Sequence, residues 1–409
     1  MENKIDVVII GGGAAGFFTA LQIKEKNPSL QIALLEKNNA CLQKVKISGG
    51  GRCNVTNAQT NPDILSEGYP RGQAFLKPAF RRFGSKETQS WFQKKGVRLK
   101  TEPDGRVFPV TDSSQTIIDL FQRLAHEGNI RILTGTRVLS FEKEKDTWQV
   151  TTDKSTFICS HLVVTSGSDK RMWEILETMK MPIVSPVPSL FTFQIQENSL
   201  LELQGVSFPQ VVIEWTKEKL KTKGGLLITH WGLSGPAVLR LSAWGAISWA
   251  REGYKGEIKV NWLLENTEKK VLDFFRTCAQ ESPKKQVYNT PFPGISVRFW
   301  KFLCVRAGIS TFMNWSEFGK KQKQALCREI IASPFQVNGK GVFKEEFVTA
   351  GGIDLDAIDP NTFAWKSDSS LFFAGEVLNI DAITGGYNFQ AAWTGAWHVA
   401  QSIAPLIPK

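Results

Sequence analysis

The stretch that decides the fold is residues 5–23, IDVVIIGGGAAGFFTALQI. Ile5 to Ile10 is an unbroken apolar run rich in Val and Ile, the pattern of a strand buried on both faces. Gly11, Gly13 and Gly16 follow in the spacing G-x-G-x-x-G. Ala14 and Ala15 sit between them and open a segment with apolar residues at helical spacing. A second apolar run, QIALLEKN (31–38), ends in Glu36, twenty residues beyond Gly16. Strand, tight turn, helix, strand and acid in this order are the dinucleotide-binding fingerprint in its required context.

Each part has a physical task. Gly11 permits the tight turn, Gly13 lets a pyrophosphate approach the backbone, and Gly16 lets the helix pack closely on the strand. The helix N-terminus offers free N–H groups and a positive dipole to a diphosphate. Glu36 can accept hydrogen bonds from ribose hydroxyls, with Lys37 beside it. This stretch alone does not distinguish NAD from FAD.

The 409-residue chain has room for two or three domains, and at 42% hydrophobic and 22% charged residues it is of ordinary globular composition. No apolar run reaches membrane-spanning length. The N-terminus reads as the first strand of the fold and not as a cleavable signal. The six cysteines are scattered without a C-x-x-C pair, which argues against a disulfide framework or a zinc site and predicts a cytoplasmic protein. The net charge is +11, with basic runs at 217–225 (KEKLKTKGG) and 319–323 (GKKQK). Read as spread thinly along a long chain, this charge predicts a solvated basic surface, and nucleic acid is not the expected partner.

A second glycine loop follows Glu36 in CLQKVKISGGGRCNVTN (41–57). Its centre is Ser48, Gly49, Gly50, Gly51, Arg52, Cys53 and Asn54, flanked by Lys44 and Lys46. Successive glycines let backbone press against a flat or anionic ligand. Residues 75–95 read as helical with Ser85 as N-cap, and 97–110 as two strands about a Pro-Asp-Gly turn. Residues 113–128 form an amphipathic helix, and 131–159 a small antiparallel extension that includes Val138. The strand HLVVTSGSDK (161–170) runs into a turn holding Ser166 and Gly167. Three prolines within 182–188 mark a boundary. The region from 189 to about 340 lacks a second fingerprint. It is β-rich first, with a helix N-capped by Ser234, and helical later. EEFVTAGGIDLD (345–356) then returns the chain to the first domain. A buried strand, 371–374, leads to Gly375, Glu376 and Asp381, all expected to bind the cofactor, and to the loop ITGGYN, and a long helix runs from about Asn388 to Ala404.

The motifs GGGAAG (11–16), KISGGGRCNVTN (46–57), EPDGRVFPVTD (102–112), THWGLSGPAVL (229–239), TAGGIDL (349–355) and LFFAGEVLNIDAITGGYNFQAAWTGAW (371–397) span almost the whole chain. With these the sequence resembles the BaiN-like (YhiN-like) flavoproteins, the aminoacetone-oxidase family of NAD(P)/FAD-dependent oxidoreductases. The resemblance implies an α/β fold: a Rossmann-type, glutathione-reductase-like FAD-binding domain built from both chain ends (1–188 and 341–409). A β-rich subdomain (189–265) and a helical subdomain (266–340) are inserted between them. It also implies FAD as cofactor. Glu376 is then expected at the ribityl or diphosphate region. Lys46, Ser48, Gly50, Arg52 and Cys53 are expected near the flavin ring or ribityl chain, and Val138 as a backbone contact to adenine. The turn through Gly385, Gly386, Tyr387 and Asn388 is expected to aim N–H groups at the flavin N1 and C2 oxygen, where the reduced ring holds negative charge. The adenosine turn departs from the family pattern, being TSGSDK where an ATGG-type sequence is more usual.

The expected function is a soluble FAD-dependent oxidoreductase acting on a small molecule by hydride transfer at flavin N5, with NAD(P)H or oxygen as redox partner. Without a second fingerprint, NAD(P)H is expected only as a transient donor. The alternatives are a flavin-dependent RNA-modifying enzyme and a flavin-binding redox sensor without turnover. No general acid or base stands out; His230, Tyr387 and Cys53 are the candidates. Cys53 has no nearby partner cysteine for a redox disulfide. No metal site is expected, and the oligomeric state is not legible.

Overall fold

The computed structural model describes residues 3–264, 267–341 and 348–404. The chain divides into two compact units, Met1–Val187 with Thr349–Lys409, and Pro188–Val348. The expected division of the insert at 265/266 falls outside the described residues, as do residues 345–347 of EEFVTAGGIDLD.

An eight-stranded sheet organises the first unit. Its parallel strands run in the order Asp368–Phe373, Thr156–Val164, Asn3–Ile10, Ile32–Leu35 and Arg131–Leu133. The register sets Phe373, Val164, Ile10, Leu35 and Leu133 in one row. All five strands therefore end together, and the segments that follow emerge side by side. The hairpin Val138–Glu144/Thr147–Thr152 extends the sheet antiparallel onto Thr156–Val164. Such apolar, β-branched strands suit this position because helices cover both faces of a parallel sheet.

The helix Ala14–Lys26 is buried continuously from Ala15 to Ile23. One side meets the sheet and another meets the C-terminal helix Tyr387–Ile403. Phe18 fills the junction, with ring centres 5.2 Å from Trp393 and 4.7 Å from Trp91. A small antiparallel sheet, Thr56–Asn57 with Arg106–Pro109 and Leu99–Thr101, sits beyond it.

The second unit is built on a seven-stranded antiparallel sheet in the order Ser333–Val337, Gly256–Asn261, Ser207–Trp215, Leu220–Thr229, Gly232–Ser234, Phe193–Gln194 and Gly339–Lys340. Helices Glu268–Glu281, Val297–Arg306 and Lys320–Ile331 form an excursion between two neighbouring strands of that sheet. One buried cluster runs through both parts, with Trp262 packed on Phe208 and Phe299. Among the described residues no helix is long and apolar enough to cross a membrane.

Two local expectations are corrected. Ser234 ends a strand, and the helix Pro236–Trp244 starts after Gly235 (φ +101°) with proline in its first turn, where the missing N–H costs nothing. Ser85 is not a cap. Gly84 holds that position, its N–H bound by Glu87 Oε2 at 2.9 Å, while the buried Ser85 hydroxyl donates to the Asn57 carbonyl.

Gly16 is required by space. A Cβ there would lie 2.0 Å from the Gly11 carbonyl oxygen and 2.7 Å from Thr165 Oγ1. Gly16→Ala is expected to destabilise the protein by about 1–3 kcal/mol through overpacking against backbone. A shift of the guanidinium unfolding midpoint at unchanged slope will measure it.

Candidate functional site

The row of strand ends builds the site. Gly11 (φ +110°) makes the turn after the first strand, and its N–H donates to the Leu35 carbonyl at 2.8 Å. A Cβ at Gly11 would lie 2.4 Å from the Thr165 carbonyl oxygen. The Thr165 hydroxyl donates to the Ile10 carbonyl at 2.9 Å, fastening the neighbouring strand end. At Gly13 a Cβ would meet no protein atom within 4 Å, so it would fill open space at the mouth of the fingerprint helix. No side chain caps that helix among the described residues, leaving its first N–H groups for a ligand.

Glu36 is 8% exposed. One carboxylate oxygen accepts the Gly12 N–H at 2.8 Å, and the other accepts the Asn38 backbone and side-chain N–H groups at 2.8 Å each. The acid thus shapes the glycine turn besides standing beside it. Thr136 donates to the Glu36 carbonyl, which brings the segment leading to Val138 alongside. Val138 is buried and pairs with Thr152 in its hairpin. Lys37 reaches Asp169 at 2.8 Å. Gly167 has φ +63°, and the buried Ser166 hydroxyl has no protein partner.

The second glycine loop is left-handed. After a short helical stretch Ser48 is extended, and Gly49, Gly50 and Gly51 follow at φ +58°, +69° and +82°. Consecutive left-handed residues cost other side chains roughly 1–2 kcal/mol each, so three in a row demand glycine. Around Gly50 and Gly51 a Cβ would meet nothing within 4 Å. Lys46 and Ile47 beside them are exposed. The Arg52 guanidinium binds Glu102 at 2.6 Å and covers the Phe108 ring at 4.0 Å. Asn54 carries a buried side-chain oxygen with no protein partner.

The C-terminal segment closes the arrangement. Gly375 (φ +80°) abuts Ala15, and Glu376 accepts Lys44 Nζ at 2.5 Å and the Thr349 N–H at 3.1 Å. Lys44 also lies 3.3 Å from Ser168 Oγ, so it links the second glycine loop to two strand ends. Gly386 (φ +90°) precedes the C-terminal helix, and a Cβ there would lie 2.4 Å from the Thr56 carbonyl. Around this contact Asn57 donates to the Gly385 carbonyl (3.1 Å), Thr56 to Gln390 (2.6 Å), Trp393 to the Val55 carbonyl (2.9 Å) and Tyr69 to the Tyr387 carbonyl (2.6 Å). Asn388 clamps its own loop through both polar groups of Ala382. No side chain caps this helix either, among the described residues.

Several expected residues hold other posts. Asp381 is fully buried, and its carboxylate grips Arg71 as a bidentate ion pair. Cys53 is fully buried at φ +60°, and burial pushes its thiol up to about 12. That is the wrong ionisation for a nucleophile. His230 is exposed in the inserted unit, edge-on to Trp231 at 4.2 Å. Thr56, Asn57, Tyr69, Arg71 and Gln390 were missed. Thr56, Asn57 and Gln390 lie inside the quoted motifs, but only the fold shows that the two motifs meet. Among the described residues no cluster of His, Cys, Asp and Glu is arranged for a metal.

The donor set suits an elongated dinucleotide. Two uncapped helix N-termini, a glycine whose Cβ would fill the cradle, and the unpartnered polar atoms of Ser166 and Asn54 all belong to one unit. The arrangement is that of a FAD-dependent oxidoreductase on a glutathione-reductase-like Rossmann fold. More narrowly, the chain belongs to the HI0933-like protein Rossmann domain family, whose model matches residues 5–402. It is 28% identical to the ribosomal RNA dihydrouridine synthase of Escherichia coli K12, over 98% of each chain. It is 24% identical to the 3-dehydro-bile acid delta(4,6)-reductase of Clostridium scindens, over 97% of this chain and 98% of that one. Among solved structures, 3-ketosteroid-delta4-(5alpha)-dehydrogenase from Rhodococcus jostii RHA1 shares the fold, with a TM-score of 0.54 at 11% identity over 98% of this chain and 97% of that chain.

Two outcomes are expected. Gly386→Ala combines a backbone clash with a left-handed φ, and about 1–3 kcal/mol of lost docking will raise the FAD dissociation constant about 5- to 100-fold. Titrating flavin-stripped protein with FAD fluorescence will measure this. Native protein at pH 8 will leave Cys53 unalkylated by N-ethylmaleimide, because its thiol stays protonated and covered; peptide mass spectrometry reads this directly.

Proposed function

We propose that this protein is a flavin-dependent reductase of carbon–carbon double bonds conjugated to a carbonyl, and that its substrate is uridine within RNA. The two relatives named above share a chemistry by name. Reducing uridine to dihydrouridine, and a delta(4,6) 3-oxo system to its reduced form, both add hydride and proton across a C=C bond activated by a carbonyl. The observation that favours RNA over a free small molecule is where the charge lies. Of the net +11, the unit Pro188–Val348 contains 22 Lys and Arg against 14 Asp and Glu, a net +8. The charge is therefore not spread thinly, and a concentrated basic unit is the electrostatic footprint of a polyanion binder.

In this reading the first unit holds FAD and the insert serves the substrate. The fingerprint N-terminus (Gly11, Gly13, Ala14, Ala15, Gly16) would receive the diphosphate, Glu36 the ribose, and Val138 with Ser166 and Gly167 the adenosine side. Lys46, the loop Ser48–Asn54 and the N-terminus of the helix after Gly386 would receive the ribityl and ring. FAD held here would, once reduced by NAD(P)H as a transient donor, supply hydride from N5. The chain's own contribution would be electrostatic: the positive end of the helix after Gly386 would favour negative charge on ring atoms brought near it. Gly50 and Gly51 leave open space on their outer side, where a planar base would have room to approach.

The test is anaerobic reduction with NADPH and unmodified ribosomal RNA. Nuclease digestion and mass spectrometry should find nucleosides heavier by two hydrogens, and a strain lacking the gene should lose dihydrouridine from its ribosomal RNA. If the flavin instead passes electrons only to steroid-like enones or to oxygen, the RNA assignment fails.

A further inference from the structure

The basic charge of the insert is itself unevenly placed. Residues 266–340, the helical part with its closing strands, contain 13 Lys and Arg against 5 Asp and Glu, a net +8 in 75 residues. The preceding β-rich part, 188–265, is nearly balanced at 8 against 7. Many of these cations have no carboxylate to neutralise them. Among the described residues, no Asp or Glu lies within ion-pair distance of Lys284, Lys285, Arg298 or Lys301.

These four residues border exposed aromatic surface. Phe312 is 79% exposed, the highest exposure among the large exposed apolar side chains. It stands one residue before Met313, whose carbonyl accepts the Val287 N–H at 3.0 Å. The next residue on that side, Tyr288, has Lys301 Nζ 5.1 Å from its ring centre. The Lys285 carbonyl accepts the Trp315 N–H at 3.0 Å, which pins Lys284 and Lys285 to the same pair of segments. Trp300 donates to the Val287 carbonyl at 2.8 Å and fixes the helix bearing Arg298 and Lys301 against them. Three short segments, tied together through hydrogen bonds at Lys285 and Val287, thus carry four cations without carboxylate partners among the described residues, an uncovered phenyl ring and a half-buried tyrosine.

We propose that this face, formed by Lys284, Lys285, Tyr288, Arg298, Lys301 and Phe312, is a docking surface for unpaired RNA. The chemistry is complementary. Cations attract the phosphate backbone, and exposed aromatic rings offer stacking surface to bases that are free of a duplex. A protein partner would favour a neutral apolar patch at this ring, and a duplex would offer phosphates but no exposed base face. The proposal rests on the RNA reading of the function and adds to it the place of contact and the preference for single strands.

The test uses the full-length, FAD-loaded protein and a fluorescein-labelled single-stranded RNA of mixed sequence, with the duplex of the same length as comparison. Fluorescence anisotropy should show the single strand bound more tightly than the duplex. Phe312→Ala should weaken binding about tenfold, the loss expected from one stacked base. Joint replacement of Lys284, Lys285 and Lys301 by Gln should reduce the slope of log affinity against log salt by about 2, or about 0.7 per phosphate contact. Flavin content and melting temperature should stay unchanged in both variants, because the side chains concerned face solvent or its margin. Wild-type affinity in both variants overturns the surface, and if dihydrouridine is still formed the function stands. Binding lost in the variants while no reduced uridine is ever found leaves the surface and overturns the function. Failure of the wild-type protein to bind either RNA overturns the surface, and the dihydrouridine assay then decides the function separately.

Discussion

The close approach of Gly386 to the Thr56 carbonyl is the contact on which the site depends. It brings the start of the C-terminal helix against the strand that leaves the second glycine loop, joining positions 330 residues apart. Hydrogen bonds from Asn57, Thr56, Trp393 and Tyr69 surround the contact and leave little freedom for either partner. A side chain at Gly386 would push the start of the helix away from Thr56. The buried pair of Arg71 and Asp381 restrains the same loop from the other side. A desolvated ion pair of this kind contributes definition of geometry more surely than it contributes net stability.

The second constraint is the common end of the parallel strands. Because Leu35, Ile10, Val164 and Phe373 share one row, Glu36, the fingerprint glycines, the Thr165–Gly167 turn and Gly375–Glu376 emerge side by side along one edge of the sheet. Ligands of open α/β sheets bind outside the carboxyl ends of the strands, which is where these segments emerge. Lys44 reaches across to Glu376 and Ser168, tying the second glycine loop to these strand ends. The buried atoms without protein partners, at Ser166 and Asn54, are what a site built for a polar ligand leaves behind.

Sequence and structure agree where short-range patterns suffice. The fingerprint, the helices at 115–127, 268–281, 297–306 and 387–403, and the strand pair about Pro103-Asp104-Gly105 were all legible from periodicity and turn residues. They diverge where distant parts decide. Asp381 and Cys53 sit in motifs whose neighbours face the cradle, yet one is paired with Arg71 and the other is buried under its own left-handed turn. Nothing local distinguishes a carboxylate that meets a ligand from one that meets an arginine 310 positions away. The distribution of charge is likewise visible only once the units are known. Net +11 over 409 residues looks dilute until the chain is divided into units, and then most of it falls on one of them.

By itself the sequence determined a Rossmann-type dinucleotide fold made from both chain ends, because buried parallel strands, glycine turns and helix starts each leave a local chemical mark. Tertiary structure alone decided which glycines are forced by space and which by backbone sign. It also decided which candidate residues keep a free functional group, and that the helical excursion grows between two strands of a single sheet. Those features arise from contacts between segments far apart in the chain, and no local run of residues encodes which distant group will arrive opposite it.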